Sequence, residues 1–115
     1  AANFPPDEDE FRWSGLTATP SDVVRPPRVG EAPVAFEARV RDIVTIGNSS
    51  LILGEVVRIH VARAVWRDGR IDPTLLDPVL RLAGSSFAEL GETFDLRRPT
   101  YQDVLAGNLD QREKE

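Results

Sequence analysis

Cysteine and methionine are absent from these 115 residues, and histidine and lysine occur once each, as His60 and Lys114. Without cysteine there is no disulfide, no thiol nucleophile and no Cys-ligated metal. A lone histidine gives no basis for a His-based zinc site. No apolar run approaches the roughly 20 residues needed to cross a bilayer. The N-terminus shows no basic-then-apolar secretion signal, so the expected location is cytoplasmic, away from membranes. Glycine spacing of the P-loop or dinucleotide-fold type is missing, as is a G-x-S-x-G nucleophile elbow. The lack of methionine leaves open that the chain begins inside a longer protein. Fourteen basic residues against nineteen acidic give a net charge of −5. That balance argues against nucleic acid as a partner, since phosphate neutralisation needs a basic face.

What is present is a chain of single-domain length organised around Pro33–Val65, PVAFEARVRDIVTIGNSSLILGEVVRIHVARAV. Two runs rich in Val, Ile, Leu and Phe flank Gly47-Asn48-Ser49-Ser50, the signal for a long antiparallel hairpin. With Ile46 facing Leu51, the same-face pairs are Val44 with Leu53, Val40 with Val57, Ala38 with Ile59 and Phe36 with Val61. The other face then pairs Glu37 with His60, Arg41 with Val56 and Ile43 with Gly54. It is polar near the open end and apolar near the turn. Strands of roughly twelve residues, apolar on both faces over part of their length, suit a barrel better than a one-sided sheet.

The flanking segments read as loops and short helices. Pro5-Pro6 blocks regular structure, and DEDEFRW predicts one helical turn stopped by Gly15, with Phe11 and Trp13 packed inward. Residues 17–33, with Pro20, Pro26, Pro27 and Pro33, form an extended strap. Asp68-Gly69 is a turn, and Asp72-Pro73 starts a helix. Asp77-Pro78 should kink or restart that helix, whose stripe Leu75, Leu76, Val79, Leu80 and Leu82 runs to a stop at Gly84. A short strand is expected at Thr93–Leu96 and a small helix around Tyr101, Val104 and Leu105. The tail from 106 to 115 is expected to fray.

One hairpin, a strap and short helices supply too few strands to bury both faces of the ribbon, because two-stranded ribbons are marginal alone. The core is therefore expected to be completed by strands from elsewhere: a missing N-terminal segment, another chain or an identical subunit. For chemistry, His60 facing Glu37 is either a contact to a ligand in the barrel mouth or a cross-strand pair. Asp42 and Glu55 fall opposite each other, so either a bulge displaces one, or both reach an edge or subunit contact, or the two carboxyls share a proton. Gly84-Ser85-Ser86 beside Phe87 offers hydrogen-bond donors next to an aromatic ring, either a grip for a planar cofactor's polar edge or a plain helix stop.

Several motifs then fall in a familiar order over about 95 residues: Asp9-Glu10-Phe11 with Gly15-Leu16-Thr17, Glu31-Ala32-Pro33-Val34, Gly54-Glu55-Val56-Val57, Ile59-His60-Val61, Asp68-Gly69-Arg70 and Arg81-Leu82-Ala83-Gly84. In this the chain resembles the C-terminal half of the flavin reductase-like, FMN-binding split-barrel proteins. The resemblance implies a mainly β fold, an antiparallel split barrel with one or two short helices, residues 1–115 forming its C-terminal part. It implies a homodimer holding FMN, with flavin reduced by NAD(P)H or carrying electrons, and hence an enzyme in the full-length protein. Many relatives have a Tyr after the helix where this chain has Ser86-Phe87, so only Ser86 and Phe87 carry over as cofactor contacts; most contacts belong to the absent N-terminal half. No catalytic residue and no metal ligand is expected here. The alternative is a non-enzymatic barrel module, for binding or assembly, that kept the scaffold and lost the flavin.

Overall fold

Two units divide the chain, Ala1–Asp72 and Pro73–Glu115, and the computed structural model describes residues 4–108. In the first unit, Asp9 caps helix α1 (Glu10–Ser14) by accepting from the Phe11 amide at 3.0 Å, and Gly15, at φ 71°, ends it. Phe11 is half-buried, but Trp13 is exposed, contrary to the expected inward packing. Residues two apart on a helix do not share a face. Trp13 instead donates from Nε1 to Glu8 Oε2 at 2.8 Å, with the Arg12 guanidinium 5.3 Å from its ring centre.

The strap doubles back on itself. Strands β1 (Ala18–Thr19) and β2 (Arg28–Val29) pair antiparallel, and all four prolines lie outside them, as a residue without an N–H requires. Both oxygens of Glu31 accept from the Thr17 amide at 2.9 Å.

Strands β3 (Val34–Ile46) and β4 (Ser49–Val61) form the expected hairpin, each thirteen residues long. Its register differs from the expectation by two residues near both ends: Ile46 faces Ser49, and Phe36 faces Ile59. The cause is a two-residue turn, Gly47-Asn48, with Gly47 at φ 60° as a tight hairpin turn favours. Ser49 and Ser50 belong to the strand.

Register shifts between Glu37 and Ala38 and between Val40 and Asp42 leave Val57 and Arg41 as extra residues. Each bulge changes which face the following residues occupy. One face thus carries Phe36, Val40, Ile43, Ile52, Val56 and Ile59. The other is polar toward the open end, with Glu37, Arg39, Glu55, Arg58 and His60, and apolar toward the turn, with Val44, Leu51 and Leu53. The polar open end of this face was legible in the sequence, but its apolar end was expected from Ile43 and Val56, which lie on the Phe36 face; Val44, Leu51 and Leu53, expected on the other face, supply it instead.

After β4, a 3-10 turn (Arg63–Val65) leads into the small hairpin β5 (Trp66–Arg67) and β6 (Arg70–Ile71). Asp68 and Gly69 at its tip both have positive φ, 51° and 78°, the pattern of a type I′ turn. Val65, 4% exposed, is the one buried hydrophobic residue among those described. Among the described residues the only fully buried side chain is a carboxylate, Glu37. Large apolar residues on both faces of the long hairpin are exposed, Val40 at 65% on one and Leu51 at 51% on the other.

In the second unit, helix α2 covers only Pro73–Leu76. Asp77-Pro78 neither kinks nor restarts it but ends it: Asp77 turns left-handed, φ 46°, because a following proline disfavours the right-handed helical region. The apolar stripe expected on a helix instead enters strand β7 (Leu80–Arg81), which pairs with β8 (Phe87–Ala88) around Gly84, at φ 62°. The strand expected at Thr93–Leu96 is reduced to a single bridge residue, Leu96. Helix α3 (Tyr101–Leu105) starts with a capping box between Thr100 and Asp103. Three short α-helices are therefore described, against the one or two expected. Amides of Ala106, Gly107 and Asn108 bond back to α3; residues 109–115, the rest of the expected frayed tail, lie outside the described residues.

Candidate functional site

The first unit is built around Glu37. Three consecutive strap amides converge on its carboxylate: Asp22 donates to Oε1 at 2.7 Å, Val23 and Val24 to Oε2 at 2.7 and 3.1 Å. His60 Nε2 lies 2.6 Å from Oε1. The strap's bend across residues 22–26 aims these N–H groups at one point, a backbone nest for an anion. Burial pushes the Glu37 carboxyl up, but the Asp22 amide, His60 and the Val23 and Val24 amides outweigh it and hold it down at about 2. An ionised Glu37 only accepts, so the His60 proton on this side sits on Nε2, leaving Nδ1 to face elsewhere.

Asp22, Glu37 and His60 bring three potential ligand atoms within 4.8 Å of one another. The arrangement does not suit a cation. A carboxylate has about four acceptor positions, and Glu37 uses them on three amides and the imidazole. Asp22 is engaged by Arg58 at 3.4 Å. The cluster is a clamp holding the strap to the hairpin. Sequence reasoning paired Glu37 with His60 but missed the strap amides, whose one signal was an acid set between the apolar Phe36 and Ala38. Asp42 and Glu55 are not opposed: Asp42 faces Leu53 and Arg39 faces Glu55. The bulge at Arg41 separates them and brings Arg41 within 3.6 Å of Glu55, so no shared-proton pair forms.

Beside the clamp an open groove of about 470 Å³ is lined by Arg28, His60, Pro33, Ile59 and Val61, among others. Arg28 is half-buried, and its Nε is shielded from water with no hydrogen-bond partner. Nothing in the sequence distinguished Arg28 from the other arginines.

In the second unit, Ser86 and Phe87 stand at the start of β8. The Ser86 amide donates to Ala83 and its carbonyl accepts from Leu82 at 3.0 Å. Phe87 is 60% exposed, with the Arg81 guanidinium 6.0 Å from its ring centre.

Residues 1–76 match the model of the flavin reductase like domain. The chain belongs to this family. A Halalkalibacterium halodurans protein, uncharacterised, is 40% identical over 103 residues, covering 84% of this chain and 49% of the relative. The hairpin-and-strap architecture recurs in component B of a nitrilotriacetate monooxygenase from Bacillus cereus, with TM-score 0.77 and 39% identity over 83% of this chain and 50% of that one. It recurs also in a Shewanella frigidimarina protein described as a flavin reductase with a split barrel domain, with TM-score 0.69 and 26% identity over 88% and 51% of the two chains. The fold is accordingly mainly β, of the split-barrel flavin reductase type. The chain spans about half the length of the curated relatives it matches. Among the described residues no helix is long and apolar enough to cross a membrane.

Proposed function

We propose that this chain is the C-terminal part of a flavin-dependent oxidoreductase that binds FMN and either reduces flavin with NAD(P)H or passes electrons through bound flavin. Membership of the flavin reductase-like family carries the reading. It is supported by a long hairpin whose apolar faces stand open, as expected of a barrel wall whose remaining strands lie elsewhere. Those strands would come from an N-terminal half, with a second copy of the protein completing a homodimer.

Flavin, when bound, supplies the hydride and electron chemistry. This chain's own residues would bind and orient it. The exposed face of Phe87 offers a stacking surface, and the Ser86 hydroxyl a polar contact beside it. These two suit one edge of a planar ring and are too few to hold a cofactor alone. The Glu37–His60 clamp works at one remove, by fixing the strap and thereby the open end of the barrel wall.

The full-length protein should quench FMN fluorescence on binding and, with NADH or NADPH, bleach the flavin absorbance. FAD tested in parallel separates the two flavins. Absence of any flavin binding by the full-length protein would sink the reading.

A further inference from the structure

We propose that the strap tip, residues 20–27, is a flap that opens from the hairpin as a unit, and that Glu37 then exchanges the strap amides for Arg58. Among the described residues no backbone–backbone hydrogen bond joins this tip to any other segment. What ties it to the hairpin is the three amides of Asp22, Val23 and Val24 on Glu37, together with the Arg58–Asp22 pair. The tip and its base are each held without the hairpin. Ser21 Oγ donates to the Pro26 carbonyl at 2.6 Å, and Pro20, Pro26 and Pro27 restrict the backbone around that closure. At the base β1 pairs with β2, the Gly30 amide donates to Thr17 at 2.8 Å, and Glu31 accepts from the Thr17 amide. A segment held internally and fixed to its neighbour through one side chain has the makings of a unit that opens below the global unfolding free energy.

Opening takes three donors from the Glu37 carboxylate, which is costly unless a replacement stands ready. Arg58 is that replacement. It lies directly opposite Glu37 across the hairpin and therefore on the same face. With the strap closed, its guanidinium is drawn aside to Asp22 at 3.4 Å, in a half-exposed pair of the kind that contributes little. When the strap lifts, Asp22 leaves with it, and Arg58 is freed for the opposite charge facing it on the neighbouring strand, a favourable cross-strand arrangement. His60 holds Glu37 in both states, since both residues belong to the hairpin. Glu37 thus has partners whether the strap is down or up, which makes the latch a two-state element.

The opening needs no bound flavin, so it stands or falls apart from the flavin reading. The test is native-state hydrogen exchange on the full-length protein. In the unmutated protein the amides of residues 22–24 should share one protection factor, about tenfold or more below those of Thr17, Gly30 and the β3–β4 ladder, and respond little to low denaturant. Arg58 is then tested in an Asp22→Asn background, where its partner in the closed strap is already gone. Adding Arg58→Gln there should slow exchange of the three amides about threefold, because only the open state loses a pair. If Arg58 does no more than tether the strap through Asp22, the second substitution changes nothing in that background. Exchange of the three amides that is unchanged or faster in the double variant overturns the partner exchange. Protection of the three amides equal to that of the hairpin in the unmutated protein overturns the flap itself, a readout that does not depend on a variant folding.

Discussion

His60 Nε2 reaches Glu37 Oε1 at 2.6 Å although the two residues are not opposite each other: His60 faces Ala35 and Glu37 faces Arg58 across the hairpin. They are diagonal neighbours on one face, within reach for side chains of this length. The diagonal leaves the rest of the carboxylate to the strap, so one buried acid joins two strands and a loop.

Glu37→Gln keeps the shape but turns an amide NH₂ toward N–H groups that need an acceptor. The strap should loosen, with the amides of Asp22, Val23 and Val24 losing hydrogen-exchange protection together and Tm falling by about 5 °C or more. Equal protection of these amides in both proteins would refute the clamp.

Acid should release the same clamp. The Glu37 carboxyl, held at about 2 in the fold against an ordinary 4.5, contributes stability that is complete above pH 4.5 and lost as pH falls toward 2. Asp22, His60 and Arg58 are the ionisable groups around it. Glu31, held below its ordinary value chiefly by Thr17, and Asp103, held low chiefly by Arg97, lose stability in the same direction. The difference between the unmutated protein and Glu37→Gln, measured by denaturant titration from pH 6 to 2, isolates Glu37: it should shrink as the pH drops.

Gly47→Ala tests the two-residue turn that sets the register. No atom lies near an added Cβ, so the cost is backbone strain at φ 60° alone, about 1 kcal/mol. Denaturant unfolding of the full-length protein reads it.

Ile59→Glu puts a charge on the continuous apolar face, where Phe36 is its cross-strand partner. If that face is covered in the assembled protein, the variant should fail to give soluble, correctly sized material in gel filtration. Arg41→Gln, which removes only the exposed pair with Glu55, should change stability by no more than about 0.5 kcal/mol.

Phe87→Ala removes the stacking surface and should weaken FMN binding by roughly three- to tenfold, read by fluorescence quenching. Unchanged affinity would take Phe87 out of the cofactor site.

The alternating apolar residues of β3 and β4, the helical turn of DEDEFRW with the Gly15 stop, the Asp68-Gly69 turn and the small helix at Tyr101 are local patterns. Their chemistry is complete within a few residues, and the sequence by itself determined them. Three things lay beyond it. The register depended on whether the turn used two residues or four, and on two bulges that shift faces without any marker in composition. The end of α2 depended on a left-handed Asp77 that also released Leu80 into a strand. The role of Glu37 required the strap to fold across the hairpin, bringing amides some fourteen residues away in sequence onto one carboxylate. Local patterns fix which residues want a helix, a strand or a turn; only the tertiary arrangement decides which buried charge meets which distant amide.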